Sequence, residues 1–315
     1  MEILDLRHFA SSDLRPLLED EVAAWGGLLC WDYRSSAEMI FRYIDAKILP
    51  GYAAIERGSV IGYSFFVYEG SKGVIGDLFV SPSRPDVREV ELRMLEHVIE
   101  TLQESPGVHR IEAQLLTHSS GELAAPFLSS GFQRYRRLFL AWQLTGDDAP
   151  PLLPGRPLND IQIRRWTEQD YQPAASIITA AYRTHIDSEI NDQYRTNAGS
   201  MRFLNNIVRF PGCGVFDSES SFVAIHKPSR ALIGLILCSR IRHDVGHVTQ
   251  VCLLPEHRGF GIGESLIAAS HGALSARNVS QLSLTVTEAN RNAVDLYRRI
   301  GFEDKRVFDA FVWEG

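Results

Sequence analysis

The sequence predicts an α/β (α+β) protein in which one fold, a mixed sheet covered by helices, occurs twice. Three observations carry that prediction: strand-like runs alternate with helix-like ones, the two halves of the chain echo each other, and a proline-rich break lies between them. At 315 residues the chain is long for one core, since single cores stop growing near ~250–300 residues. Pro150, Pro151, Pro154 and Pro157 crowd a stretch that can be neither helix nor central strand. It reads as a semi-rigid linker over 147–159, between domains at 1–146 and 160–315.

In the first copy, 52–55, 60–67 and 74–80 are β-branched or aromatic runs bounded by glycines, as strands should be. Residues 86–104 carry Val87, Val90, Met94, Leu95, Val98 and Leu102 at near-helical spacing. In the second copy, strands are expected at 161–164, 221–226, 232–240, 247–253, 281–286 and 304–313, and helices at 170–182, 200–209, 261–277 and 290–300. The repeat itself is visible where Phe127-Leu128-Ser129-Ser130-Gly131-Phe132 recurs as Tyr297-Arg298-Arg299-Ile300-Gly301-Phe302.

A net charge of −7 argues against nucleic acid as a partner, because neutralising phosphates takes a surplus of Lys and Arg. No run of ~18 apolar residues suggests a membrane span, and the acidic start, Met1-Glu2-Ile3-Leu4-Asp5, does not read as a signal peptide. A cytoplasmic protein is expected. Cys30, Cys213, Cys238 and Cys252 lack Cys-x-x-Cys spacing, so reduced thiols are expected rather than a metal site or disulfides.

The most informative stretch is Leu253-Leu254-Pro255-Glu256-His257-Arg258-Gly259-Phe260-Gly261-Ile262-Gly263, between a strand and a helix. Alternate glycines let backbone N–H groups converge, and a helix N-terminus adds unbonded donors and a positive dipole end. A phosphate or pyrophosphate is the natural guest. Glu264 stands where a dinucleotide fingerprint needs glycine, and no Lys-Ser/Thr follows as in a P-loop. Further on comes Thr287-Glu288-Ala289-Asn290-Arg291-Asn292-Ala293-Val294-Asp295-Leu296-Tyr297-Arg298-Arg299-Ile300-Gly301-Phe302.

The two stretches resemble, in order and spacing, the Arg/Gln-x-x-Gly-x-Gly loop and the Asn-x-x-Ala-x-x-Leu-Tyr-x-x-x-Gly-Phe segment of the GNAT N-acetyltransferases. The resemblance is good over 161–315 and faint before it, and the tandem layout is similar to that of mycothiol synthase and its relatives. It implies two tandem domains, each a twisted, mostly antiparallel mixed sheet flanked by helices. It also implies acetyl-CoA as co-substrate without a metal, and transfer of acetyl to a primary amine, first of all on a small molecule, by a monomer or homodimer. A protein or peptide amine, or a non-catalytic acyl-CoA sensor, are the alternatives.

The resemblance implies pyrophosphate on the amides of Gly259, Phe260, Gly261, Ile262 and Gly263, and a pantetheine arm along Val251 and Leu253. A backbone N–H of Val251 or Cys252 would polarise the thioester. Arg258 would meet phosphate or cap the strand, and Asn290, with Asn292 close by, would bond the arm or cap a helix. Tyr297 would return a proton to the leaving thiolate, unless it is core packing. His247 would be the base, on a strand face shared with Thr249 and Val251, with Asp187 and Glu189 as competitors. The acceptor is expected at Tyr182, Asp187, Glu189 and Tyr194, with 210–214 beyond them.

The first copy reads as degenerate. Its loop, 81–91, has no glycine and brings carboxylates to the helix start, while Phe127 and Ser120 replace Tyr297 and Asn290.

Overall fold

In a computed structural model the structure describes residues 1–144, 158–209 and 214–315. Most of the expected linker at 147–159, and residues 210–213 of the expected acceptor segment, lie outside the described residues.

In chain order the elements are β1 (Glu2–Asp5), α1 (Ser11–Leu29), α2 (Arg34–Asp45), β2 (Gly51–Glu56), β3 (Ser59–Glu69), β4 (Lys72–Val80), α3 (Val87–Glu104), β5 (Arg110–Gln114), α4 (Ala124–Ser129) and β6 (Gln133–Gln143). The second copy follows as β7 (Ile161–Arg165), α5 (Tyr171–Tyr182), α6 (Asp187–Ile190), α7 (Asn197–Arg209), β8 (Val215–Phe216), β9 (Phe222–His226), β10 (Ala231–Arg242) and β11 (Val245–Leu253). It closes with α8 (Ile262–Ser275), β12 (Gln281–Thr287), α9 (Arg291–Ile300) and β13 (Glu303–Glu314).

Two compact units result. Unit 1 comprises Met1–Arg137 together with Val307–Gly315, and unit 2 comprises Leu138–Arg306. Sheet order in unit 1 is β1-β2-β3-β4-β5-β13, so its last strand comes from the end of the chain. In unit 2 the order is β6-β12-β11-β10-β9-β7, with β8 beside β10. β4 with β5 and β11 with β12 are parallel, and β1 with β2, β2 with β3, β3 with β4, β5 with β13, β7 with β9, and β10 with β8, β9 and β11 are antiparallel. A parallel pair needs a crossover, and α3 and α8 supply one each.

Both crossover helices are amphipathic for the reason seen in the sequence. Val90, Met94, Leu95, Val98, Ile99 and Leu102 of α3, spaced three or four apart, are buried. On α8 the buried face is Ile262, Leu266, Ile267, Ser270 and Leu274. Each fully buried aliphatic side chain contributes about 1.5–3 kcal/mol relative to exposure. The repeated Gly-Phe ends α4 and α9 alike: Gly131 and Gly301 take φ of +82° and +114°, and the next amide bonds back, Phe132 to Phe127 O and Phe302 to Tyr297 O, each at 3.0 Å.

Candidate active site

Unit 2 opens where β11 leaves β12. The parallel ladder pairs Val245, Gly246, His247 and Val248 with Gln281, Leu282, Ser283 and Leu284, and stops there although both strands continue. Beyond it β11 remains paired with β10, from Gln250 opposite Leu237 to Leu253 opposite Gly234. Along such a strand the backbone alternates sides. Leu254 donates to Ile233 O on the β10 side, which turns Cys252 the same way and leaves the N–H and C=O of Val251 and Leu253 facing the gap. Of the two amides expected to polarise a thioester, that of Val251 faces the gap and that of Cys252 faces β10.

The same register accounts for His247. Thr249 is an extra residue, a β-bulge, and its hydroxyl donates to Leu237 O at 3.1 Å. One inserted residue reverses the alternation of side chains, so the expected shared face of His247, Thr249 and Val251 does not exist. His247 lies in the paired part of the strand and is 5% exposed. Its Nδ1 meets Ser283 Oγ at 2.8 Å, and its ring lies nearly parallel to that of Phe139. Burial alone pushes its pKa down to about 4. His247 is a packing residue.

The glycine loop follows β11 directly. Gly259 and Gly261 have φ of +82° and +81°, and Gly261 stands at the N-cap of α8 with no side chain capping the helix. The first-turn amides thus remain directed outward. A Cβ on either glycine would meet no protein atom within 4 Å, and one on Gly263 would only touch Leu253 Cδ1 at 3.6 Å. The left-handed backbone, not protein bulk, calls for glycine at 259 and 261, and the space beside them is open. Phe260 projects between them, 58% exposed. Arg258 turns inward instead: Nη2 donates to Ala181 O at 2.7 Å and Nε to Leu253 O at 3.3 Å. It ties the end of α5 to the end of β11, the capping role rather than the phosphate one.

Across the gap, Tyr297 is 7% exposed, edge-on to Phe302, and its hydroxyl has no hydrogen-bond partner among the described residues. Burial, then the nearby Asp187 carboxylate and Cys252, hold its pKa well above 10. Tyr182, at the end of α5, is stacked on Tyr194 with centroids 4.4 Å apart and edge-on to His185. The Tyr182 hydroxyl donates towards Gln250 Oε1 at 3.3 Å and Val251 O at 3.5 Å. Its pKa is also well above 10, through burial first.

Asp187 is fixed from afar. Thr287 donates its hydroxyl to Asp187 Oδ1, and the Asp187 amide donates to His185 Nδ1 at 3.2 Å. The Asn290 amide is hydrogen-bonded to His185 Nε2 at 3.1 Å. Asn290 occupies the N-cap of α9 without a side-chain cap bond, so its amide serves this cluster and not the helix. Two expected residues stay outside it. Glu189 is 56% exposed at its side chain and paired with Arg195, and Asn292 is exposed on the first turn of α9. Gln250 and Thr287 were missed by sequence reasoning. The signal for Gln250 was its place in the strand before the loop, and for Thr287 its place just before the Asn290 segment.

Known proteins share this arrangement. Residues 183–302, which span the splay, the loop and the Tyr297 helix, match the model of the acetyltransferase (GNAT) family. They belong to the GNAT acetyltransferase family. A mycothiol acetyltransferase of Thermobifida fusca is 28% identical over 250 residues, 71% of this chain and 73% of that protein. An N-alpha-acetyltransferase of Sulfurisphaera tokodaii is 32% identical over 71 residues, 22% of this chain and 42% of that protein. Among solved structures, a tandem GNAT protein from the clavulanic acid biosynthesis pathway aligns over 99% of this chain and 98% of its own, with TM-score 0.60 and 16% identity. That likeness shows the GNAT fold along the whole length, and the match over residues 183–302 together with the acetyltransferase relatives supports an acyltransferase enzyme. GNAT acetyltransferases use acetyl-CoA. Among the described residues no helix is long and apolar enough to cross a membrane, and no group of three or more His, Cys, Asp or Glu is gathered as for a metal ion.

Proposed function

We propose that unit 2 transfers acetyl from acetyl-CoA to the primary amine of a small molecule by direct attack. The observation that carries this reading is the gap between β11 and β12, faced by the backbone N–H groups of Val251 and Leu253 and leading straight into the Gly259–Gly261 loop. Acetyl-CoA supplies the acetyl thioester. The outward amides at the start of α8 hold its diphosphate, and Leu253 and Val251 pair with the arm. The Val251 N–H is aimed at the thioester oxygen, where one fixed donor is typically worth ~2.7–4 kcal/mol.

Asp187 is the base. Its position is set by Thr287 and by its own amide on His185, and it lies close enough to Tyr297 and Tyr182 to raise both their pKa values. Tyr297 is the acid that returns a proton to sulfur. Its raised pKa does not disqualify it, because burial pushes the neighbouring Cys252 thiol up to about 12, and a thiolate released there is made basic in the same way. That value also keeps Cys252 protonated near neutral pH, so a covalent acyl-cysteine route is disfavoured.

A second reading, acetylation of a peptide N-terminus, draws on the partial similarity to an N-alpha-acetyltransferase. Calorimetric titration of acetyl-CoA into the full chain and into Gly261→Asp tests the primary reading. One equivalent bound, and lost in the variant, is the expected result. Two equivalents, one surviving in the variant, would place a second site in unit 1, and no binding would refute acetyl transfer. A screen of small amines against peptides with free N-termini separates the two acceptors.

A further inference from the structure

One buried polar group beside the proposed reaction centre is left half used. Gln250 is 5% exposed, on the residue after the bulge and immediately before Val251. Its Oε1 accepts from the Tyr182 hydroxyl, while its Nε2 has no partner. An amide donor buried without a partner is costly, and native structures keep few of them unless something else completes the bond. The direction of the amide follows from Tyr182. The same hydroxyl lies 3.5 Å from Val251 O, which faces the gap, so the group that holds the buried Gln250 amide reaches the wall of that gap.

We infer that Gln250 is a specificity-determining residue, and that the amine acceptor carries an oxygen on the carbon next to its amine-bearing carbon, which the Gln250 amide N–H reads. The inference rests on the acetyl-transfer reading and deepens it. An amine attacking a thioester held at the Val251 N–H must place its nitrogen next to Val251, with Asp187 to take the proton. Substituents one bond further on then fall between the Tyr182 ring, stacked on Tyr194, and the Gln250 amide. The aromatic faces accept the carbon skeleton, and the amide N–H requires an acceptor atom. The linkage N–C–C–O satisfies both demands. It occurs in 2-amino alcohols and amino sugars, and equally in α-amino carbonyl compounds such as a peptide N-terminus.

The experiment measures kcat/KM for acetylation of four probes by the full chain. Glucosamine and alaninamide carry the vicinal oxygen as hydroxyl and carbonyl, and cyclohexylamine and isobutylamine are their oxygen-free counterparts. The expected result is a preference of about tenfold to a hundredfold for one oxygen-bearing probe over its counterpart, and which pair shows it tells the two sources apart. Gln250→Glu removes the donor while keeping the shape, and Gln250→Leu removes the polarity, so either should bring the ratio to within about threefold. Circular dichroism and acetyl-CoA titration of each variant show that fold and co-substrate site persist. Equal turnover of all four probes by the wild type, or a preference surviving in Gln250→Glu, overturns the inference while leaving acetyl transfer intact. Acetyl-CoA binding with no amine acetylated removes both.

Discussion

The two units contain the same gap, with opposite outcomes. In unit 1 the ladder of β4 and β5 pairs Lys72, Gly73, Val74 and Ile75 with Arg110, Ile111, Glu112 and Ala113 and stops, as that of β11 and β12 does. The bulge recurs too, at Gly76, between the pairs Phe66 with Ile75 and Phe65 with Asp77. Ser81 donates to Ile61 O, so by alternation it is Leu78 whose amide faces the gap, in the place of Val251. There the resemblance ends, because Asp77 Oδ1 accepts from the Leu78 amide at 2.9 Å. The donor that would polarise a thioester is already bonded to a carboxylate.

Around Asp77 the place of the acceptor pocket is filled. Glu21, fully buried, lies close to the Asp77 carboxylate, Tyr63 donates to Glu21 Oε2 at 2.6 Å, and Tyr33 donates to Asp77 Oδ2 at 3.1 Å. Phe127, at the Tyr297 position, is stacked on Phe311 with centroids 4.0 Å apart. Ser120, at the Asn290 position, donates to Asp309. The loop before α3 is pinned by Arg84, which binds Asp86 and Glu56. A fold of this kind supplies the gap, and a few side chains decide whether the gap is a site.

That contrast can be broken. The largest effect is expected from Tyr297→Phe, which should lower kcat by ~10²–10⁴ while acetyl-CoA affinity by calorimetry stays within a fewfold. The counterpart Phe127→Tyr should add no activity. An unchanged kcat in Tyr297→Phe would leave that tyrosine to packing. Next, Asp187→Asn should cost ~10²-fold or more in kcat/KM while acetyl-CoA affinity stays within a fewfold. His247→Gln should leave kcat/KM within a fewfold, since that ring is buried in the paired part of β11 against Phe139.

A smaller effect sharpens the comparison from the unit 1 side. Burial raises the Glu21 carboxyl well above its usual range, and the Asp77 charge adds to it. A carboxyl whose folded pKa is raised binds its proton more tightly in the native state. Its stabilising contribution is complete below the unfolded pKa and is lost as pH rises through the folded value. Denaturant unfolding should therefore show unit 1 weakening as pH rises, and Glu21→Gln should flatten the slope. An unchanged slope would mean that the pair does not share a proton. The smallest effect is expected for Gly263→Ala. Its Cβ would lie 3.6 Å from Leu253, so the thermal midpoint should hardly move, and any loss of acetyl-CoA affinity would measure the bound diphosphate alone.

Much of this was legible in the sequence, and what was missed has physical causes. The strand before the loop, the loop and the Tyr297 helix are encoded locally, by β-branched runs, alternating glycines and a helix ending in Gly-Phe. The α2 helix was overlooked although Ala37, Ile40 and Ile44 mark its buried face at helical spacing. The bulge at Thr249 was not legible, because a bulge is a property of two paired strands, and with it went the assignment of His247. Asp187 was one name among several until Thr287, far along the chain, was found holding it. For Arg258 the sequence favoured the phosphate over the capping role, and the position of the Ala181 carbonyl reverses that preference.

The make-up of unit 1 from two distant stretches, Met1–Arg137 and Val307–Gly315, sets an order on birth. A ribosome delivers the chain from its N-terminus, and domains generally fold as units as they emerge. Here the unit that begins first is still a strand short, its β5 edge bare, while the contiguous Leu138–Arg306 can be threaded out whole and close around the gap between β11 and β12. A premature stop near codon 306 would thus release a nearly complete second unit tethered to an unfinished first one with an open sheet edge, the kind of edge that invites aggregation.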